Sequence, residues 1–199
     1  NRTMKTVNDY TFPGGHYAWK QVKYVPSWGG SLFEALMPLL VLNEPRYAPD
    51  SLGRNAAAHT EIHRRFTLDH LGYPVWGLSP SSRPSGGYGE FGARILGVRG
   101  YRAGAVTPHA AALALMVEPA ATANLRELVE RYPIYGDFGF YDAVDPQTGQ
   151  VVYNYLALDQ SMILIALANH LREGVIQRYF AADPIMQRVL PLLKAERFF

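Results

Sequence analysis

The stretch WGGSLFEALMPLLVL, residues 28–42, contains one charged side chain, Glu34, among fifteen residues. An ionised carboxylate in apolar surroundings is costly unless it is paired, hydrogen-bonded or protonated. Such surroundings are expected to raise the pKa of Glu34, and a protonated carboxyl group can act as an acid. Glu34 is therefore the leading candidate for a functional residue. The structural alternative is a side chain that fastens a neighbouring loop.

The same stretch predicts an apolar helix that begins after the two glycines and runs to the end of the stretch. Ser27 or Ser31 is the expected N-cap, and Asn43 lies near the expected end. Pro38 has no N–H to donate to the carbonyl of Glu34, so a kink is expected beside the carboxylate.

Further helices are predicted along the rest of the chain by apolar spacing and by capping residues. They lie over residues 51–70, from Thr107, over residues 121–131, over residues 158–171, and twice more after Gly174. The total is about seven helices, and no stretch predicts a convincing sheet. The expected fold class is all-α, an array of helical hairpins that gathers its loops at one end.

Segments rich in glycine and aromatic residues separate these helices. Residues 11–26 predict a loop or hairpin, and residues 136–155 predict a surface hairpin. Residues 72–104 contain nine glycines and three prolines and are too long for an ordinary connection. Because long ordered loops usually hold function, we expect the site at these loops.

Composition limits the classes of protein that need to be considered. With 199 residues, of which 48% are hydrophobic and 18% charged, the chain is expected to be one soluble domain or half of a larger one. A net charge of +2 without a basic stripe indicates no nucleic-acid partner, and no apolar run is long enough for a membrane span. The absence of cysteine excludes disulfides and thiolate sites, and it fits a bacterial cytosol or periplasm.

No cofactor or metal site is predicted. The glycine-rich segment GGYGEFG, residues 86–92, follows neither Walker nor Rossmann spacing. His59 and His63 are four apart, but Thr-Glu-Ile stands between them rather than the Glu-first pattern of a zinc protease.

The loops combine carboxylates, large aromatic residues and glycines, a mixture that favours sugar binding. A pyranose has an apolar face and a rim of hydroxyl groups, so its site needs flat aromatic side chains and polar acceptors. The alternative for any one aromatic residue is that it fills the core of a loop. The aromatic candidates for sugar contact are Trp28, Trp76, Tyr88, Tyr141 and Tyr155.

Glycoside hydrolysis normally uses two carboxyl groups, one to protonate the leaving oxygen and one to activate water or attack the sugar. Glu34 is the expected acid, and Asp159 is either its partner or a cap of the helix that it begins. Glu90 is a candidate substrate-binding residue because it lies on a glycine-rich loop where a ligand could approach the backbone. Asp142 either contacts the sugar or stabilises a turn. His109 could donate to a sugar hydroxyl, with a structural role as the alternative.

Several of these segments together resemble the glycoamylase-like domain of bacteria, in matching order along nearly the whole chain. That domain occurs in endo-β-1,2-glucanases and in cyclic β-1,2-glucan synthases. The glycine-tyrosine loop is one of the segments, and the others are SWGGSLFEALMP (27–38), WGLSPS (76–81), VTPHAA (106–111), YDAV (141–144) and NYLALDQS (154–161).

The resemblance implies an (α/α)6 barrel whose loop end binds glycan, with residues 1–199 as a single glycoamylase-like domain. Such barrels need about twelve helices, so the chain is expected to be the C-terminal part, completed by a missing N-terminal half or by a second chain. The match places Glu34 and Asp159 on acidic positions of the family, with Trp28, Trp76 and Tyr88 as sugar contacts. The expected location is periplasmic or secreted, with the cytoplasm as the alternative.

The expected function is hydrolysis of β-linked glucan, β-1,2 favoured, by carboxylate acid/base catalysis with an oligo- or polysaccharide as partner. One alternative is a domain that transfers glucan to another sugar, as in a cyclic glucan synthase. Another is a glycan-binding module without catalysis, and a third is a helical scaffold for protein partners.

Overall fold

A computed structural model describes residues 5–7, 10–12 and 16–198 of the chain. This part is about half helical, which confirms the predicted helical class, and it contains eight α-helices where about seven are predicted. They are α1 (Leu32–Leu36), α2 (Glu44–Tyr47), α3 (Leu52–Arg65), α4 (Pro108–Leu113), α5 (Ala121–Arg131), α6 (Ala157–Leu171), α7 (Val175–Ala181) and α8 (Pro184–Ala195). None of the described helices is long and apolar enough to cross a membrane.

The first helix is shorter than the apolar stretch predicts. Ser31 caps it by accepting a hydrogen bond from the backbone N–H of Glu34, and the chain tightens into a 3-10 helix over Met37–Leu40. Pro38 accounts for the change because it cannot supply the N–H that the next turn of an α-helix would need. Asn43 caps α2, so it starts the next helix.

Five antiparallel pairs of short strands lie between the helices, and no larger sheet forms in the described residues. The predicted turn at residues 13–15 lies outside the described residues. The pairs are β1 (Lys5–Val7) with β2 (Tyr10–Phe12), β3 (Tyr17–Trp19) with β4 (Val22–Tyr24), β5 (Ser81–Ser82) with β6 (Tyr88–Gly89), β7 (Tyr135–Gly136) with β8 (Gly139–Phe140), and β9 (Ala143–Val144) with β10 (Val151–Val152).

Helix α4 lies at the centre of the core. All six of its residues are buried, and it packs against α1, α5 and α6. Thr107 caps it and Pro108 occupies its first turn, as the sequence predicts. The elements that surround α4 therefore hold their loops in fixed positions relative to one another.

Single β-bridges tie three distant loops together just before or after residues of the predicted site. Val106 pairs with both Leu78 and Val144. These bridges bring Ser79, His109 and Asp142, each within three residues of a bridge, close to one another.

A second set of backbone hydrogen bonds joins residues 27–30 to the glycine-rich loop. The N–H groups of Val98, Arg99 and Tyr101 donate to the carbonyls of Ser27, Trp28 and Gly29 respectively. The start of α1 and the glycine-rich loop therefore form one continuous surface.

Candidate active site

Glu34 folds back over the glycines that precede its helix. Its Oε2 atom accepts hydrogen bonds from the N–H of Gly29 at 2.8 Å and from the N–H of Gly30 at 3.2 Å. The carboxylate is half-buried, and its nearest partners are amide donors rather than the apolar neighbours expected from the sequence. This arrangement explains how an apolar stretch accommodates one charge, since amide donors satisfy one carboxylate oxygen.

Two features extend outward from Glu34. Trp28 is 58% exposed directly beside the glycines, so its ring is available to a ligand. On the inner side, Glu34 lines a cavity of about 150 Å³ together with His59 and Glu44. The Nε2 atom of His59 lies 2.7 Å from the carbonyl oxygen of Val25, which fastens the wall of this cavity.

A second group of polar residues centres on His109, which is buried. Its Nδ1 atom lies 3.2 Å from Asp159 Oδ2, within ion-pair range but away from hydrogen-bond alignment, and its Nε2 atom lies 3.1 Å from Ser79 Oγ. The ring of Phe33 meets the His109 ring edge-on with centroids 6.3 Å apart. Because Phe33 precedes Glu34, this contact links the two groups through α1.

Asp142 is the most deeply buried carboxylate of the site, at 1% exposure. Its Oδ2 atom accepts a hydrogen bond from the N–H of Ser82 at 2.9 Å, whereas Oδ1 has no partner among the described residues. Burial raises the pKa of Asp142. The hydrogen bonds from Ser82 lower this pKa, whereas the negative charge of Asp159 raises it further.

An open cavity of about 440 Å³ lies on the glycine-rich loop of residues 72–104. It is lined by Arg83, Tyr88, Glu90, Arg99, Gly100, Tyr101 and Arg102. Burial raises the pKa of the Tyr88 phenol, and the charges of Asp142 and Asp159 raise it further. Burial also raises the pKa of Tyr101. The hydrogen bond with Glu90 and the negative charges of Glu90 and Glu34 raise this pKa further. Tyr88 therefore lies within electrostatic range of the two aspartates, and Tyr101 lies within range of Glu34.

The remaining predicted residues divide into exposed and buried positions. Glu90 is exposed and bonded to the phenol of Tyr101, and Tyr141 and Tyr155 are partly exposed with ring centroids 4.7 Å apart. Trp76 is only 2% exposed and packs in the core. Its backbone N–H donates to the side-chain oxygen of Asn124, and its backbone carbonyl accepts from the side-chain amide of the same residue. A buried ring offers no face to a sugar, so for Trp76 the structure favours the core alternative.

Some residues of the candidate site and of the cavity carry no functional signal in the sequence. Arg83, Arg99 and Arg102 are isolated arginines in a glycine-rich loop, and Ser79 is one serine among several. Only the folding of the loop brings the three guanidinium groups around Tyr88 and Glu90.

Gly30 has a conformation that the site requires. Its φ is +80°, and a Cβ added there would lie 2.3 Å from the carbonyl oxygen of Ala93. We expect Gly30→Ala to lower the free energy of unfolding by about 2 kcal/mol or more, from left-handed strain plus the clash. Gly72→Ala is the matched control, since φ is +70° there and nothing lies within 4 Å. The measurement is urea denaturation of both variants. Equal losses of unfolding free energy in Gly30→Ala and Gly72→Ala would contradict the clash.

Comparison with known proteins identifies the family. A sequence model of the glycoamylase family, described as "Putative glucoamylase", matches residues 6–184. The chain belongs to this family. The resemblance inferred from the motifs is thereby confirmed, and the matched range includes every candidate residue from Trp28 to Asp159 of this glycoamylase-family chain.

Relatives of the chain include enzymes named for β-1,2-glucan. The chain is 36% identical over 186 residues to the cyclic β-(1,2)-glucan synthase NdvB of Rhizobium meliloti (strain 1021). The aligned region covers 84% of this chain and 6% of NdvB. In fold it resembles an endo-β-1,2-glucanase from Chitinophaga pinensis solved with sophorotriose and glucose, at 22% identity and a TM-score of 0.73, covering 91% of this chain and 46% of that one. A β-1,2-glucanase from Parabacteroides distasonis matches at 20% identity and a TM-score of 0.74, covering 92% and 27%.

The glycoamylase-family chain therefore spans less than half the length of these relatives. At 22% and 20% identity, the two structural matches establish a shared fold for this length of chain.

Proposed function

We propose that this chain forms part of an enzyme that cleaves or transfers β-linked glucan, with β-1,2-glucan as the favoured substrate. The observation that carries the proposal is a carboxylate cluster in which Glu34, held by the amides of Gly29 and Gly30, is linked through the Phe33–His109 ring contact to Asp142 and Asp159. Tyrosines and the exposed Trp28 beside it suit the apolar faces of sugar rings. The names of the relatives supply the choice of linkage.

We assign Glu34 as the proton donor. Because two amide N–H groups occupy Oε2, a transferable proton on Glu34 belongs on Oε1. As the glycosidic C–O bond breaks, that proton passes to the leaving oxygen, which departs as a free hydroxyl group. The amide donors stay bonded to Oε2 throughout, so the carboxyl group keeps its orientation.

Asp159 is assigned as the base or, alternatively, as a ligand of the sugar. As the base it accepts a proton from the attacking hydroxyl of water in hydrolysis, or of a second sugar in transfer. His109 holds Asp159 in place and Ser79 orients the other side of the imidazole ring. Asp142 lies beside this pair as a further buried carboxyl group, whose pKa is raised by burial.

We propose further that the chain is the C-terminal part of an (α/α)6 barrel. Two observations support this architecture: the eight α-helices of the described residues, where such a barrel needs about twelve, and the 46% of a glucanase that the chain covers. Leu164 and Leu171 of α6 are exposed and lie seven residues apart on one face. Leu171 also borders a groove of about 450 Å³ lined mainly by apolar side chains. Such a face suits packing against further helices.

The relationship to a glucan synthase favours one second candidate function, which is transfer of glucan to a sugar acceptor. The test is incubation of the protein encoded by its complete gene with β-1,2-, β-1,3- and β-1,4-glucans, followed by product analysis. Hydrolysis yields new reducing ends. Transfer yields longer or cyclic products and leaves the number of reducing ends unchanged. Binding without any product would support a glycan-binding module and overturn the enzymatic proposal.

A further inference from the structure

A row of four aromatic rings runs along the hairpins beside the buried aspartates. Its members are Phe138, Tyr155, Tyr141 and Tyr153. Neighbouring ring centroids are separated by 5.5 Å, 4.7 Å and 4.9 Å in that order. Tyr141 directly precedes Asp142, so the row passes beside the candidate active site, and its Phe138 end lies in the β7–β8 turn.

The ends of this aromatic row are unusually open to solvent. Phe138 is 78% exposed and Tyr153 is 61% exposed, while the two central rings are partly exposed. Exposed contiguous apolar surface on a folded protein usually marks a binding site. Core packing accounts for neither of the two end positions.

The row is nevertheless held in a defined arrangement. The phenols of Tyr141 and Tyr155 are hydrogen-bonded to each other, and the N–H of Phe138 donates to the Tyr155 phenol oxygen at 3.4 Å. A Cβ on Gly136 would lie within 2.4 Å of both phenol oxygens, so glycine lets the hairpin backbone rest on them. Rings fixed in this way lose little freedom when a ligand binds.

The chemistry of the row favours a hydroxylated ligand with flat apolar faces. Its members offer aromatic faces for stacking, and phenol groups and the nearby Asp137 carboxylate offer polar partners for hydroxyl groups. No aliphatic side chain is among the four, which distinguishes the row from the leucine-rich face of α6. A chain of sugar rings matches this pattern of repeated apolar faces and hydroxyl rims.

We propose that the aromatic row binds the glucan chain beyond the cleft, so that the enzyme prefers long glucans over short oligosaccharides. This inference rests on the proposed function for the reaction itself. It adds Phe138 and Tyr153 as determinants of substrate length.

The test compares the Phe138→Ala/Tyr153→Ala double variant with the parent on a long β-1,2-glucan and on a β-1,2-linked trisaccharide. We expect kcat/KM for the long glucan to fall about tenfold, mainly through KM, with the trisaccharide value unchanged. Tyr179→Ala is the matched control, because Tyr179 is equally exposed but lies on α7. Equal losses on both substrates, or no loss on either, would overturn the proposal.

A binding measurement separates this inference from the proposed function. Migration of the parent and the double variant is compared in native gels that contain long β-1,2-glucan. Retardation of the parent that the double variant loses supports the row even if no cleavage is detected. Retardation that the double variant keeps overturns the row even if the parent cleaves glucan, and an unretarded parent overturns it as well.

Discussion

Glu34→Gln is expected to reduce glucan cleavage by about 10²- to 10⁴-fold, the usual contribution of a positioned proton donor. Glutamine keeps the shape of the side chain and an oxygen that can accept from the N–H groups of Gly29 and Gly30. It carries no transferable proton. The thermal midpoint should therefore stay within a few degrees of the parent, and kcat for the long glucan is the quantity to measure.

Glu130→Gln provides the matched control for this substitution, because Glu130 is exposed on α5 far along the chain from the cavity. It should leave both activity and the thermal midpoint unchanged. Full activity in Glu34→Gln would sink the assignment of the proton donor. Loss of activity together with a large fall in the midpoint would instead show that Glu34 fastens the loop.

Glu44→Gln is expected to remove a large pH dependence of stability. Glu44 is 4% exposed, and burial raises its pKa from the ordinary 4.5 to about 7. Below pH 4.5 the group is protonated in both states. Between pH 4.5 and about pH 7 the folded state holds a proton that the unfolded state has lost, so the free energy of unfolding falls as the pH rises. Above the folded pKa the loss is complete, at about 3 kcal/mol.

The measurement is urea denaturation of parent and Glu44→Gln at pH 4.5 and at pH 8. The variant should match the parent at the lower pH and exceed it by about 3 kcal/mol at the higher pH. Glu130→Gln again serves as the control, since an exposed carboxyl group should give no such difference. If the free energy of unfolding depends on pH in the same way in the parent and in Glu44→Gln, Glu44 is ionised without penalty in the folded protein.

The helices that the sequence predicts best are those with local signals at their ends. Thr107 before Pro108 caps α4, and Asp183 before Pro184 caps α8 through its own side chain. The first helix is predicted less well. Its start depends on Ser31, which is local, but Pro38 shifts the following turn to a 3-10 helix rather than a simple kink. Apolar composition alone could not distinguish these outcomes.

The site shows a similar division. Carboxylates and aromatics at loop positions indicate glycan chemistry because their residue types are suited to it, wherever they meet. Nothing in the sequence shows that Asp142 lies beside Asp159, or that Trp28 is exposed while Trp76 is buried. Those facts depend on contacts between segments far apart in the chain.

The sequence by itself determined how a single carboxylate fits into residues 28–42. Two glycines, a capping serine and a glutamate in the first turn lie within six residues, so local backbone geometry is enough to turn Glu34 onto the amides of Gly29 and Gly30. Only the tertiary structure decided which groups face it. The bridges of Val106 to Leu78 and Val144 bring Ser79, His109 and Asp142 together, and the Phe33–His109 contact joins them to the helix of Glu34, because pairing between distant segments depends on the packing of the whole core around α4.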